Sequence, residues 1–135
     1  MGESVNLYDV VLIDFDAGLE HFSWQTDAKS DVLIVVTDPS WMGFRTARRI
    51  KELTDELGYS YRWRFLLGCG FTPETEGFFF SHANDTGLTA LGVIPYDGTL
   101  VTLNLEGKNI FQLGSDTVSY RHVANAWGRL VKILK

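Results

Sequence analysis

Val32-Leu33-Ile34-Val35-Val36-Thr37-Asp38-Pro39-Ser40 is the stretch that decides the fold. Its first six residues are aliphatic or β-branched, with no polar residue alternating between them. That pattern suits a parallel strand covered by helices on both faces. The run then closes abruptly. Asp38 or Ser40 can cap a helix, and Pro39 stiffens its entry. Phe44, Ala47, Ile50, Leu53 and Leu57 follow at near-helical spacing, and Gly58 supplies a stop. A buried strand feeding an amphipathic helix is the repeating unit of an α/β layer structure.

Working outward, Val10-Val11-Leu12-Ile13 reads as an earlier strand, preceded by Tyr8-Asp9 and closed by Asp14. Arg62-Trp63-Arg64-Phe65-Leu66-Leu67 reads as a later one, stopped by Gly68 and Gly70, and Leu91-Gly92-Val93-Ile94-Pro95 as another. The gaps are too long for hairpins, so the expectation is one α/β domain over residues 1–135: three layers around a mostly parallel sheet of about four strands. Thr72 followed by Pro73-Glu74 starts a second helix running to about Asn84, before Gly87. Its Phe78-Phe79-Phe80 run cannot all face one side. Residues 99–105 fit a short helix ended by Gly107 or an irregular strand. A last helix is expected from Asp116 to the end of the chain, with Val123, Trp127, Leu130, Val131 and Leu134 as its apolar stripe.

The 135 residues are 45% apolar, enough for a real core. A net charge of −5 with scattered cations argues against a nucleic-acid footprint, though not against a nucleotide. Arg45, Arg48, Arg49 and Lys51 read as a solvated helix face or, alternatively, a partner-binding patch. A single cysteine, Cys69, excludes an internal disulfide and suits a reducing compartment, with the thiol expected to be buried. No leader-like or membrane-spanning apolar run is present, so a cytoplasmic protein is expected.

Ligands of open parallel sheets gather at the carboxyl ends of the strands. Three segments qualify: Asp14-Phe15-Asp16-Ala17-Gly18, Asp38-Pro39-Ser40 and Gly68-Cys69-Gly70. An acidic residue closing an apolar strand, as Asp14 does, suits hydrated Mg²⁺, which keeps most of its waters. Gly18 permits a close backbone approach to phosphate. Against this, the sequence contains no glycine-rich loop ending in Gly-Lys-Ser or Gly-Lys-Thr, and so no cradle and no lysine for β- and γ-phosphates. His21, His82 and His122 are too dispersed for a zinc site. Asp97, after Pro95-Tyr96, reads as turn chemistry first and a binding loop second.

VVLIDFDAG (residues 10–18) resembles the Walker B strand and switch II of the deviant P-loop ATPases that include MinD and ParA proteins. Leu19-Glu20-His21-Phe22 looks closest to the subgroup of accessory ATPases for nickel carbon-monoxide dehydrogenase. VLIVVTDPS (32–40), the helix reaching Gly58, and LGVIPYDG (91–98) occur in the family's order and spacing. The resemblance spans nearly all of this chain but the C-terminal portion of the family. It implies that Asp14 is the magnesium-side carboxylate and Gly18 the γ-phosphate sensor. Asp38 and Pro39 then match the loop beyond the next core strand, and Pro95, Tyr96 and Asp97 a segment bordering the base. Two departures accompany it. The strand and lysines of the phosphate loop have no counterpart, and Gly68-Cys69 stand where the family has Asn-Lys.

In these ATPases the phosphate-loop strand lies between the strands matching residues 10–14 and 32–37. The two must therefore pair directly, leave a slot for another chain, or exchange elements in a dimer. The expectation is a degenerate, non-catalytic relative acting through protein association, in metalloenzyme maturation. The alternative is a split or truncated ATPase whose phosphate loop comes from another polypeptide. The expected partner is accordingly a second copy or a phosphate-loop-bearing protein, with neither nucleic acid nor membrane. ATP and Mg²⁺ would bind when such a partner supplies the loop. Switch-like mobility is expected of residues 14–30.

Overall fold

The computed structural model describes residues 8–15 and 31–135. Gly18, Asp16, the Glu20-His21 pair and nearly all of the segment expected to be mobile lie outside the described residues. Three parallel strands form the sheet in the order β1-β2-β3: β1 is Val32–Thr37, β2 Trp63–Phe71 and β3 Thr89–Pro95. Helix α1 (Trp41–Glu56) joins β1 to β2, and α2 (Pro73–His82) joins β2 to β3 through a short helical turn, Ala83–Thr86. After β3 come α3 (Gly98–Leu105), which settles the ambiguity of that segment as helix, and α4 (Val118–Leu134).

Period-two alternation, reset at Leu91 where β3 slips register against β2, divides the strands between two cores. Leu33, Val35, Leu66 and Val93 face α1 and α2, where Phe44, Ala47, Phe71 and Phe79 close the packing. Phe65 and Leu91 face the other way, onto Ala126 and Leu130 of α4. The result is the expected three-layer α/β arrangement. Side-chain chemistry starts α1 and α2 at the residues expected. Ser40 caps α1, its Oγ accepting from the Gly43 N–H at 2.9 Å, and Thr72 with Thr75 forms a capping box for α2. Gly87, at φ +76°, turns the chain out of the helical turn and into β3.

Four expectations need correction. Residues 10–13 form no strand, so the described sheet has three strands rather than about four. Val10, Val11, Leu12 and Ile13 are exposed, and among the described residues β1 is laddered to β2 alone. An apolar run becomes a strand by hydrogen bonding to a neighbour, and this run has none among the described residues. Second, Gly68 and Gly70 do not stop the central strand, which continues to Phe71. A Cβ on Gly68 would lie 2.9 Å from ring atoms of Phe71 and Phe79, and Gly70 takes φ +80° at a register shift against β3. Both glycines serve the strand rather than end it. Third, Cys69 is exposed, not buried: it shares the face of Phe65 and Leu67 but lies beyond the reach of α4. Fourth, the buried positions of α4 are Ser119, Ala126 and Leu130, while Val123, Trp127 and Leu134 of the expected stripe are largely exposed. The cause lies in the sheet. Helix α4 packs mainly on β3, so the same face of β1 is only partly covered, at Val32 and Ile34, and Val36 is 61% exposed.

Candidate functional site

Parallel strands bring their carboxyl ends to one edge, here Thr37, Phe71 and Pro95. The loops that follow carry Asp38 and Pro39 after β1, Thr72 after β2, and Tyr96 and Asp97 after β3. The β2–β3 ladder is prolonged into this edge by the Tyr96 N–H, which donates to the Phe71 carbonyl at 2.8 Å. The sequence-predicted residues Asp38, Pro39, Pro95 and Asp97 therefore share one edge. The β1 and β3 loops stand about 10 Å apart, two strand spacings.

Asp38 is fixed by its neighbours. Its carboxylate accepts from the Ser40 hydroxyl, and its backbone carbonyl accepts from the Ser40 N–H at 2.8 Å. Gly43 lets the first turn of α1 close onto this loop, since a Cβ there would collide with the Asp38 carboxylate and the Thr37 hydroxyl. Asp97 is held more tightly still. One carboxylate oxygen accepts from the Thr99 N–H at 2.9 Å, capping α3. The other accepts from the Ser119 N–H at 3.0 Å and the Ser119 hydroxyl at 2.7 Å, in the first turn of α4. These bonds, first from the Ser119 backbone and then from its hydroxyl, bring the carboxyl down to about 2. Asp97 thus ties two helix starts together beneath the edge. Sequence reading missed Ser119, because nothing local marks a serine 22 residues away as the partner of Asp97.

Asp14 is exposed and follows the unpaired run, so no strand positions it, and Gly18 lies outside the described residues. Among the described residues no three His, Cys, Asp or Glu side chains gather to hold a metal ion. One free carboxylate still fits hydrated Mg²⁺, whose remaining ligands are water and phosphate. The sequence supplies no lysine loop to cradle the phosphates of a nucleotide. No described helix is long and apolar enough to cross a membrane.

No family model matches the chain. An uncharacterized ATP-binding protein of Methanocaldococcus jannaschii is 35% identical over 116 residues, 86% of this chain and 46% of that protein. The carbon monoxide dehydrogenase accessory protein CooC of Rhodospirillum rubrum is 30% identical over 105 residues, 78% of this chain and 39% of CooC. In fold, the MinD cell division protein of Aquifex aeolicus superposes with a TM-score of 0.63 at 17% identity, covering 76% of this chain and 44% of MinD. The chain spans about half the length, or less, of the curated relatives it matches. Sequence likeness and fold agree: the chain is a relative of ATP-binding proteins that include CooC, and it has the fold of MinD.

Proposed function

We propose that this chain contributes the magnesium side and the base side of a MinD/ParA-type ATP site, completed by a phosphate-loop strand seated on the open edge of β1. The observation that carries the proposal is that edge. Among the described residues strand β1 is laddered on one side, its α4-side face is exposed at Val36, and the apolar residues 10–13 are exposed. Unpaired strand groups beside apolar surface are a template for another strand. In the completed site Asp14 would hold Mg²⁺ through water, Gly18 would face the γ-phosphate, and the backbone of Pro95 and Tyr96 would border the base. Asp38 and Asp97 would hold their loops in shape, their carboxylates being already engaged. The likeness to CooC supports a place in metalloenzyme maturation.

A second reading, a degenerate relative that associates without binding nucleotide, is supported by the exposed Cys69 where the family has lysine. Calorimetry separates the two. The chain alone should show no saturable Mg²⁺-ATP binding at about micromolar nucleotide. Co-expressed with a polypeptide carrying the glycine-rich lysine loop, it should gain such binding and lose it in Asp14→Ala. A stable complex without nucleotide binding would leave the degenerate reading standing. Micromolar binding by the chain alone, abolished by Asp14→Ala, would sink both.

A further inference from the structure

On the far side of the α1/α2 layer, α1 turns a second stripe away from the core. Its buried side is Phe44, Ala47 and Thr54. Its outward side starts with Trp41 and Met42, which are 66% and 62% exposed. Two large apolar side chains at a helix start, facing solvent, contribute little to this chain's own packing. Beside them lies Phe78 of α2, 41% exposed, packed edge-on to Phe44 at 5.4 Å and stacked on His82 at 3.9 Å between ring centroids. Together these residues line an open groove of about 720 Å³ between α1 and α2. That volume accepts several side chains of a bound segment.

The groove has a basic rim. Arg48 pairs with Glu52 at 3.2 Å, and Arg49 with Glu56 at 2.7 Å and Glu52 at 3.7 Å. Arg45, between them and Trp41, has no acidic partner among the described residues. A guanidinium next to exposed apolar surface is locally complementary to an acidic segment carrying apolar anchors. Self-pairing through this face would set Arg45 and Arg48 against their own copies, which opposes a homodimer here.

We infer that the groove between α1 and α2 is a docking site for an acidic amphipathic helix of a partner protein. Its apolar anchors lie on Trp41, Met42 and Phe78, and its carboxylates meet Arg45 and Arg48. The face involves neither the β1 edge nor Asp14, so it stands apart from the ATP-site reading. Because α1 begins at the Asp38–Ser40 loop, the occupant sits about one helical turn from the carboxyl edge.

The test uses the whole chain and two synthetic helical peptides of about 14 residues, with Leu and Phe anchors at i and i+4 and either Glu or Lys at all other exposed positions. Amide chemical-shift titration should give binding of the Glu peptide at least about tenfold tighter than the Lys peptide, weakening at about 0.5 M salt. Shifts should map to α1 and α2. The double variant R45E/R48E should reverse the preference, and Trp41→Ala should weaken the Glu peptide by about fivefold or more. All three positions are exposed, so the variants should keep the wild-type circular dichroism spectrum. Equal binding of the two peptides would overturn the inference. So would no binding at about 1 mM, affinity unmoved by Trp41→Ala, or preference for a single-stranded oligonucleotide.

Discussion

Replacing Asp97 by alanine removes one side chain that serves two helices. The Thr99 N–H, bonded at 2.9 Å, loses its cap acceptor, a change worth about 1 kcal/mol. Ser119 is 3% exposed, and losing both its bonds to Asp97 leaves a buried N–H and hydroxyl unpartnered, at about 1–3 kcal/mol. Urea unfolding near neutral pH should therefore show a loss of about 3 kcal/mol. The sign with pH is also fixed. The carboxyl falls from its ordinary 3.8 to about 2 in the fold, so its stabilising contribution is present above about 4 and disappears as pH drops toward 2. At full value this is about 2.5 kcal/mol, and about 1 kcal/mol once solvent screening of the partly exposed group is allowed for. The gap between wild type and Asp97→Asn should shrink by that amount between about pH 6 and pH 2. A loss below about 0.5 kcal/mol for Asp97→Ala, or a pH-independent gap, would refute the two-helix clamp.

Gly68→Ala should cost about 2–3 kcal/mol in the same urea assay, because its Cβ would press on the buried rings of Phe71 and Phe79; a neutral result would mean those rings can move. Arg129→Met should cost about 1–2 kcal/mol, since Arg129 Nη1 donates at 3.1 Å to the carbonyl of Leu91, the extra residue where β3 slips register against β2. Light scattering across a dilution series should find the chain at least dimeric, given the open β1 edge and the exposed Val36, Val123 and Trp127; a monomer of 15.2 kDa at high concentration would contradict this.

What the sequence made legible is what depends on neighbours in the chain. The run 32–37, the Ser40 cap, the helix start at Thr72 and the stop at Gly58 are local events, settled within a turn or a few strand residues. The failures are all non-local. Residues 10–13 have strand composition, but a strand is completed by a partner that composition does not supply. Gly68 and Gly70 resemble breakers until Phe79 arrives from α2 to occupy the space a Cβ on Gly68 would need, and until β3 sets the register shift where Gly70 takes φ +80°. Val123 and Trp127 fall on the helical period, yet burial follows the face that β3 offers to α4, and that face selects Ser119, Ala126 and Leu130.

The candidate site divides along the same line. Strand ends can be read from sequence, and parallel pairing then places Asp38, Pro39, Pro95 and Asp97 on one edge without further information. The work each carboxylate does cannot be read this way, because it depends on which donors the tertiary fold delivers. Asp97 receives three, two of them from a serine on α4, and with those bonds made it is a joint between helices rather than an open ligand. Asp14 makes no hydrogen bond with the described residues, and no ladder fixes it. Of the two acids, the free one is the candidate for a cation and the engaged one holds the wall. Residue type alone would rank them equally. A carboxylate already accepting three hydrogen bonds would have to give some of them up to bind a ligand, at about 1 kcal/mol or more for each bond lost. That difference argues for testing metal binding at Asp14 and stability at Asp97, and against expecting one substitution to report on both.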